Sequence, residues 1–367
     1  MKKTIAFHSN QLSIRGTEVA LYDYALNNEA VLGHNSLIVY NADSPHNSAE
    51  ALAKFSARFE VVGYRQRDEL DGLLARHRAE LLYTIKAGKD DGLWSRTVPT
   101  MVHAVFPTNP AQAHGASYAF ISEWLSRHCS NDKIPCVPHI VELPEVAGDL
   151  RTELQIPPEA TVLGCLGGAN SFDVPAAIEA VRQVLARSTQ TWFVFLNIAP
   201  FVEHPRALFL PGNSDLAYKT RFINSCDAML HARLQGESFG LACGEFSIRN
   251  KPVLTYAGSK HRHHIEVLGD AGLLYSDTAS LVQLIEGLDP VALRRGHWDR
   301  YSARYNREVV MGLFDRHLIQ PALRNPRRDK PQLDIGWADR LAYYRLKLRM
   351  RLGQHHSPSS TALATKP

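Results

Sequence analysis

The chain has 367 residues, of which 45% are hydrophobic and 21% charged, with 23 Gly and 20 Pro. That is the composition of a packed protein of two or three domains, and it excludes wholesale disorder, collagen-like repeats and a small disulfide scaffold. The net charge of +4 is uneven: residues 324–367 carry ten Lys and Arg against three Asp, which leaves the body before them at about −3. A mildly acidic body argues against a nucleic-acid binder, and the basic tail points to an anionic surface.

The five cysteines are odd in number, form no C-x-x-C and match no zinc spacing, so they read as buried thiols of a reducing compartment. The apolar run from Thr4 to Phe7 is too short for a signal peptide. No stretch approaches the roughly eighteen apolar residues of a membrane span. The expected location is the cytoplasm, with a membrane touched at most from outside.

In chain order, a strand over 4–7 leads into a helix over 17–32, whose apolar residues Val19, Ala20, Tyr22, Leu26 and Ala30 recur at helical spacing. A strand over 36–40, helices over 48–59 and 68–77, and strands over 81–84 and 101–106 follow. A strand over 118–121 then runs into a helix capped by Ser122, and residues 136–138 close this half. Prolines 144, 157 and 158 mark a boundary around a helix-like piece at 148–154.

The second half repeats the rhythm. Its predicted strands lie at 161–166, 192–197, 228–232, 253–256 and 272–275. Its predicted helices lie at 174–187, 215–225, 239–249, 263–268 and 278–288. Helical sequence continues after Pro290 to about 323, and a Pro-bounded stretch at 326–331 breaks it. A last helix is predicted over 337–352, with an irregular end after it. Such alternation gives parallel sheets covered on both faces. The predicted fold is α/β, two Rossmann-like domains facing a central cleft. Residues 1–145 form the first domain and 146–290 the second, 291–323 cross back to the first, and 324–367 form a basic, partly disordered tail. Ligands of such sheets sit at the carboxyl ends of the strands.

The stretch from His231 to Leu254 carries the chemistry. A strand ends near Ala232, a polar turn contains Gly236, and a helix is expected to begin near Phe239 with Ser238 as its cap. The N–H groups of Ser238, Phe239, Gly240 and Leu241 would lack intrahelical partners and favour an anion, and Gly240 would let a phosphate approach the backbone. Glu237 lies at the lip of this turn, and Glu245 lies about a turn and a half into the helix. One carboxylate is placed to meet a sugar and the other a ribose.

Glu237 and Glu245 enclose seven residues within Gly-Glu-Ser-Phe-Gly-Leu…Glu…Lys-Pro-Val. This pattern resembles the E-x7-E signature of retaining GT-B glycosyltransferases, most closely family 4. Arg15-Gly16-Thr17-Glu18 is similar to that family's acceptor-side Gly-Gly-x-Glu loop. Pro99 to His103 resembles its strand ending in His, Tyr118 to Glu123 its Ser-Glu strand and helix, and Val137 to Val141 its hinge strand. The resemblance spans most of residues 1–320. It implies transfer of a sugar from a nucleoside diphosphate to an acceptor hydroxyl with retention, without a bound metal or other cofactor. The acceptor class it implies is a bacterial surface glycan or a lipid-linked oligosaccharide.

By the same resemblance, Glu237 supports the oxocarbenium-like centre, and His103 contacts the transferred sugar. Phe239, Gly240 and Leu241 hold the sugar or phosphates through backbone groups, Glu245 holds the ribose, and Gly16 lets the first loop approach. The family's Arg and Lys after the first strand of the second domain are missing, since that place reads Gly167-Gly-Ala-Asn-Ser-Phe-Asp-Val. A diphosphate needs cations. Arg233 and Lys260 are the favoured substitutes, with Lys219, Arg221 and the run from Lys260 to His264 also available. A catalytically weak nucleotide-sugar-binding protein is the alternative that this gap motivates.

Other readings of these residues are weaker. Gly167-Gly168 lacks the G-x-G-x-x-G spacing of a dinucleotide site, so a nicotinamide-dependent dehydrogenase is a distant third. Adjacent histidines at 261, 263 and 264 rarely serve one metal ion. The two glutamates do not face each other as a hydrolase pair does. In the last helix, Trp337, Leu341, Tyr344, Leu348 and Leu352 form an apolar stripe flanked by Arg340, Arg345, Lys347, Arg349 and Arg351. The stripe either meets an anionic membrane or packs on the first domain, and Tyr343, Leu346 and Met350 interrupt the polar face.

Overall fold

The structure is a computed structural model that describes residues 2–13 and 16–352. β-rich runs alternate with amphipathic helices throughout, so every neighbouring strand pair in the two large sheets is parallel. In the first half the elements are β1 (Thr4–Ser9), α1 (Gly16–Ala30), β2 (Asn35–Asn41), α2 (Ala49–Ser56), β3 (Glu60–Tyr64), α3 (Glu69–Arg76), β4 (Leu81–Lys86), β5 (Thr100–Ala104), β6 (Ser117–Phe120) and α4 (Glu123–Ser130). The sheet order is β3-β2-β1-β4-β5-β6. β4 and β5 are buried along their whole length, as expected for central strands covered on both faces.

The second half contains β7 (Thr161–Leu166), α5 (Pro175–Arg187), β8 (Thr191–Leu196), β9 (Ala207–Leu210), α6 (Leu216–Ser225), β10 (Ala228–His231), β11 (Gly236–Glu237), α7 (Leu241–Ile248), β12 (Val253–Tyr256), β13 (His261–Arg262), α8 (His263–Leu268), β14 (Gly272–Tyr275) and α9 (Thr278–Glu286). Its large sheet runs β14-β12-β10-β7-β8-β9. Read from β9, this is the same order as in the first sheet. Each sheet therefore reverses direction once, between β1 and β4 and between β7 and β10, and these reversals are where such sheets open a crevice. Together they make the two Rossmann-like α/β domains that the sequence predicts.

The remaining helices are α10 (Pro290–Arg295), α11 (Ser302–Tyr305), α12 (Arg307–Phe314), α13 (Gln320–Arg324) and α14 (Trp337–Leu352). Phe314 stacks on Tyr24 of α1 at 5.1 Å, and the π-helical turn 315–319 accepts a hydrogen bond from Ser117 of β6 at the Leu318 carbonyl. The chain after 306 thus packs on the first sheet. One hydrophobic core runs from Ile5, Phe7 and Tyr24 through Phe239 and Phe246 to Tyr301 and Phe314, joining the two halves.

Three sequence expectations change. β3 and β9 were not foreseen. Both are short sheet edges that show little alternation, and β3 contains Gly63. Residues 148–154 do not form a helix: the chain is irregular through Asp149, bends at Leu150 and turns over 151–155. The helix expected from Phe239 opens at Leu241, because Gly240 stands in the left-handed region at φ +96° and the chain bends there. Gly240, not Ser238, is the residue at its N-terminal boundary, and no side chain caps it. No helix among the described residues is long and apolar enough to cross a membrane.

Candidate active site

The loop after β10 builds the centre of the site. β11 pairs in parallel with β13, setting Gly236 beside His261 and Glu237 beside Arg262. This small ladder fixes the backbone of Glu237 just ahead of α7. Gly236 sits at φ +65°, and a Cβ there would lie 2.1 Å from the His261 carbonyl oxygen and 2.7 Å from the Ser259 Cβ. Gly236→Ala is therefore expected to cost about 3 kcal/mol, from left-handed strain plus overpacking. Urea unfolding checks this, and a loss below about 0.5 kcal/mol, the range of a neutral surface change, would contradict the tight ladder.

The Glu237 carboxylate accepts a hydrogen bond from Arg233 Nη1 at 3.0 Å and lies 3.4 Å from His231 Nε2. Its pKa is lowered: burial pushes it up, but the His231 hydrogen bond and the Arg233 charge outweigh burial. It is ionised at neutral pH, and its side chain remains 24% exposed. Behind it, His231 Nδ1 is 2.8 Å from Thr255 Oγ1, which is 3.0 Å from His264 Nε2. If His231 Nε2–H donates to Glu237, then Nδ1 must accept from the Thr255 hydroxyl, and His264 Nε2–H must donate to Thr255. This chain of bonds orients the carboxylate.

Glu245, on the first helix turns after Gly240, is buried and pairs with Lys219 of α6 at 2.5 Å. Asp23 of α1 faces the same pair across the domain boundary. Burial pushes its carboxyl up to about 7, with the charges of Lys219 and Lys54 pulling it back. Lys54 of α2 also reaches the second half, donating to the Ser214 carbonyl at 3.4 Å. At the mouth of α7, the N–H groups of Leu241 and Ala242 have no hydrogen-bond acceptor among the described residues. Gly16, at the start of α1, lies against this helix end, because a Cβ on it would sit 3.8 Å from Leu241 Cδ1.

The structure thus gathers Gly16, Arg233, Glu237, Gly240, Leu241 and Glu245 around the N-terminus of α7. Ser238 and Phe239 lie on the same turn, between Glu237 and Gly240, and Lys260 immediately precedes β13, the strand paired with Glu237, whereas His103 does not join them. His103 is fully buried, with Nδ1 2.8 Å from the Tyr83 hydroxyl and Nε2 2.7 Å from the Val137 carbonyl. Both ring nitrogens are consumed within the protein, so His103 braces the first domain and does not present itself to a sugar. Phe239 is also buried, in a seam of rings. Its centroid lies 5.0 Å from His139, 5.3 Å from His263 and 5.2 Å from Tyr305.

Ser238 makes no capping bond. Lys260 is exposed and forms no ion pair among the described residues, whereas Arg221 is engaged by Glu153 and the Asp149 carbonyl. Arg15 of the acceptor-side loop lies outside the described residues. The run at 261–264 does not converge: His261 bonds Gln235, His264 bonds Thr255, and His263 stacks on Phe239. A separate trio of potential metal ligands, Asp90, Asp91 and His114, stands in the first domain with the Lys86 ammonium 2.6 Å from Asp91.

Lys54, Asp23 and His231 escaped the sequence reading. His231 offered a signal, a strand-end His six residues before the first glutamate. Lys54 and Asp23 offered none, because only the packing of the halves brings them near α6 and α7. Two open depressions, one lined by residues between Pro200 and Phe209 and one by residues of α5 and α9, contain none of these groups. The convergence of charge and free backbone at α7 marks the site better than concavity does.

No protein-family model matches the chain, and no curated protein matches it in sequence. Solved structures do match in fold. A glycosyltransferase from Rickettsia africae superposes with a TM-score of 0.58 at 12% identity, covering 88% of this chain and 96% of its own. HepE from Anabaena, solved with UDP-glucose, gives 0.58 at 14% identity over 87% and 97% of the two chains. A UDP-N-acetylglucosamine 2-epimerase gives 0.57 at 13% identity over 92% and 100%. At this level of identity the likeness extends to the fold: two Rossmann-like domains in the GT-B arrangement, shared by glycosyltransferases and by an epimerase of nucleotide sugars.

Proposed function

We propose that the protein transfers a glycosyl group from a UDP-sugar to an acceptor hydroxyl with retention of configuration. The observation that carries this reading is the meeting, at one helix end between the domains, of an ionised Glu237, N–H groups of α7 unpaired among the described residues, and Gly16 at the start of α1. UDP and UDP-glucose are bound by HepE, a protein of the same fold, which supports the choice of base.

In this mechanism the diphosphate rests on the Leu241 and Ala242 N–H groups, with the helix dipole favouring its charge. As the glycosidic bond lengthens, negative charge grows on the leaving phosphate and positive charge on the anomeric carbon. Glu237 faces the latter, held by Arg233 and His231. The acceptor attacks from the side on which the diphosphate leaves, and a phosphate oxygen takes its proton. Glu245 receives the ribose hydroxyls, with Lys219 as its present partner. Arg233 and Lys260 supply cations that the loop 167–174 lacks. Helix and side chains then do the neutralising work, and the reading assigns no metal to it. The acceptor is a surface glycan or lipid-linked oligosaccharide, reached from the cytoplasmic side of an anionic membrane.

Two other readings have specific support. The basic-free loop 167–174 favours a nucleotide-sugar binder with slow turnover, and the epimerase relatives in fold favour isomerisation of the sugar nucleotide. Proton NMR of the protein with UDP-sugars, with and without a pool of glycan and lipid-linked acceptors, separates them. Transfer predicts UDP release that depends on acceptor and a product with the donor's anomeric configuration. A new sugar nucleotide formed without acceptor would establish epimerisation, and binding without any turnover would establish the binder.

A further inference from the structure

Helix α14 has two apolar faces, and the protein uses only one. Ala342 and Leu346 are buried, and Tyr343 and Met350 pack against the main core. At about 100° per residue, these positions centre on one side of the helix. The opposite side, roughly 180° away, holds Trp337, Leu341, Tyr344, Leu348 and Leu352. All five are exposed, Trp337 at 77% and both Leu348 and Leu352 at 57%. The sequence left open whether this stripe packs inward. The residues that seemed to spoil the polar face are the ones that dock, and they turn the stripe outward.

Charge frames the stripe. Arg340, Lys347 and Arg351 flank one edge and Arg345 and Arg349 the other, and none has a carboxylate partner among the described residues. The helix has one acid, Asp339. It is buried and accepts bonds from Asn131 Nδ2 at 3.1 Å and the Gly336 N–H at 2.9 Å. The helix is therefore fixed to the body at its N-terminus. It is fixed again at Tyr344, whose hydroxyl accepts from Asn109 at 3.0 Å. Asn109 lies in the loop that leaves the carboxyl end of β5, beside exposed Phe106.

We propose that this outward face of α14 is a docking surface for an anionic lipid bilayer. The apolar stripe enters the headgroup boundary while the five cations meet lipid phosphates on both sides. A rigid helix presents the stripe with little ordering to do on contact. Its bond to the β5 loop sets the bilayer beside the carboxyl edge of the first sheet, the side from which the proposed acceptor would enter. The surface itself does not depend on the transfer reading.

The test is co-sedimentation of the full chain, without substrate, with phosphatidylcholine vesicles and with vesicles in which roughly one third of the lipid is phosphatidylglycerol. The expected result is binding to the anionic vesicles, weakened by salt. The pairs Leu348→Ser with Leu352→Ser, and Lys347→Glu with Arg351→Glu, should each lower the partition coefficient about tenfold or more. These are exposed positions, so the melting temperature and the thermal shift given by a UDP-sugar should be unchanged, which keeps this test apart from that of the nucleotide site. Failure of the wild type to bind anionic vesicles would overturn the proposal. So would full binding by both variants, or a wild-type dimer that Leu348→Ser with Leu352→Ser turns into a monomer.

Discussion

Unfolding free energy is expected to fall steeply as the pH drops below about 6.5, the ordinary histidine pKa. Burial pushes His8 and His263 down to about 3 and His103 and His261 down to about 4, and it holds His139 and His264 well below the usual value. The unfolded chain takes up protons near 6.5, whereas the folded chain refuses them until about 3 to 4. Their contribution is thus fully present above 6.5 and is lost as the pH falls toward the folded values. Each such group removes about 1.4 kcal/mol per pH unit in that window, so even three acting independently remove about 4 kcal/mol per unit. That is a large part of the 5–15 kcal/mol that holds an ordinary domain together.

The loss has a location. His103, His139, Phe239 and His263 form a continuous seam of rings from the first sheet to the mouth of α7, with centroid spacings of 6.0, 5.0 and 5.3 Å. His139 Nδ1, His263 Nε2 and His264 Nδ1 are buried without a hydrogen-bond partner among the described residues. Protonation would place buried charge in the contact that holds the two halves around the site, faced only at His263 by a carboxylate, Glu123 at 3.6 Å. Urea melts from pH 8 to pH 5 measure this. Stability should be nearly flat above 7 and steep below 6.5, and a flat profile down to 5 would show that these rings are not buried neutral in solution.

Glu237→Gln is expected to lower the turnover number for glycosyl transfer about a thousandfold, near the upper end of what one preorganised electrostatic group supplies. The amide keeps the shape and can still accept from Arg233 and His231, so folding and donor binding should change little. The loss then falls on kcat, because the full negative charge matters only as positive charge grows on the anomeric carbon. Glu245→Gln should behave differently, raising the donor KM, since its assigned partners are ground-state hydroxyls. Steady-state kinetics of both variants check the division. Retention of kcat within tenfold in Glu237→Gln would remove that residue from the transition state.

The sequence made the alternation of strands and helices legible because buried parallel strands and amphipathic helices carry their periodicity locally. The edges β3 and β9 were lost because short, half-solvated strands carry little of it. The two glutamates and Gly240 were legible because they fall within one turn and one helix. His103 was misassigned for a related reason. A strand-end His announces a strand end, but whether it faces a ligand depends on Tyr83 and Val137, which only the folded sheet brings to its ring. Lys54 and Asp23 show the same limit, since a site made between two domains borrows residues whose neighbours lie some two hundred positions away. The tail stripe was visible by its period. Its direction had to come from the burial of Leu346 and Ala342.

The most direct measurement is a crystal structure with a UDP-sugar bound. The diphosphate should lie within hydrogen-bond distance of the Leu241 and Ala242 N–H groups, with Glu237 on the sugar and Glu245 on the ribose. A nucleotide lodged elsewhere, for instance in the depression between Pro200 and Phe209, with the start of α7 covered by the protein itself, would contradict the assignment.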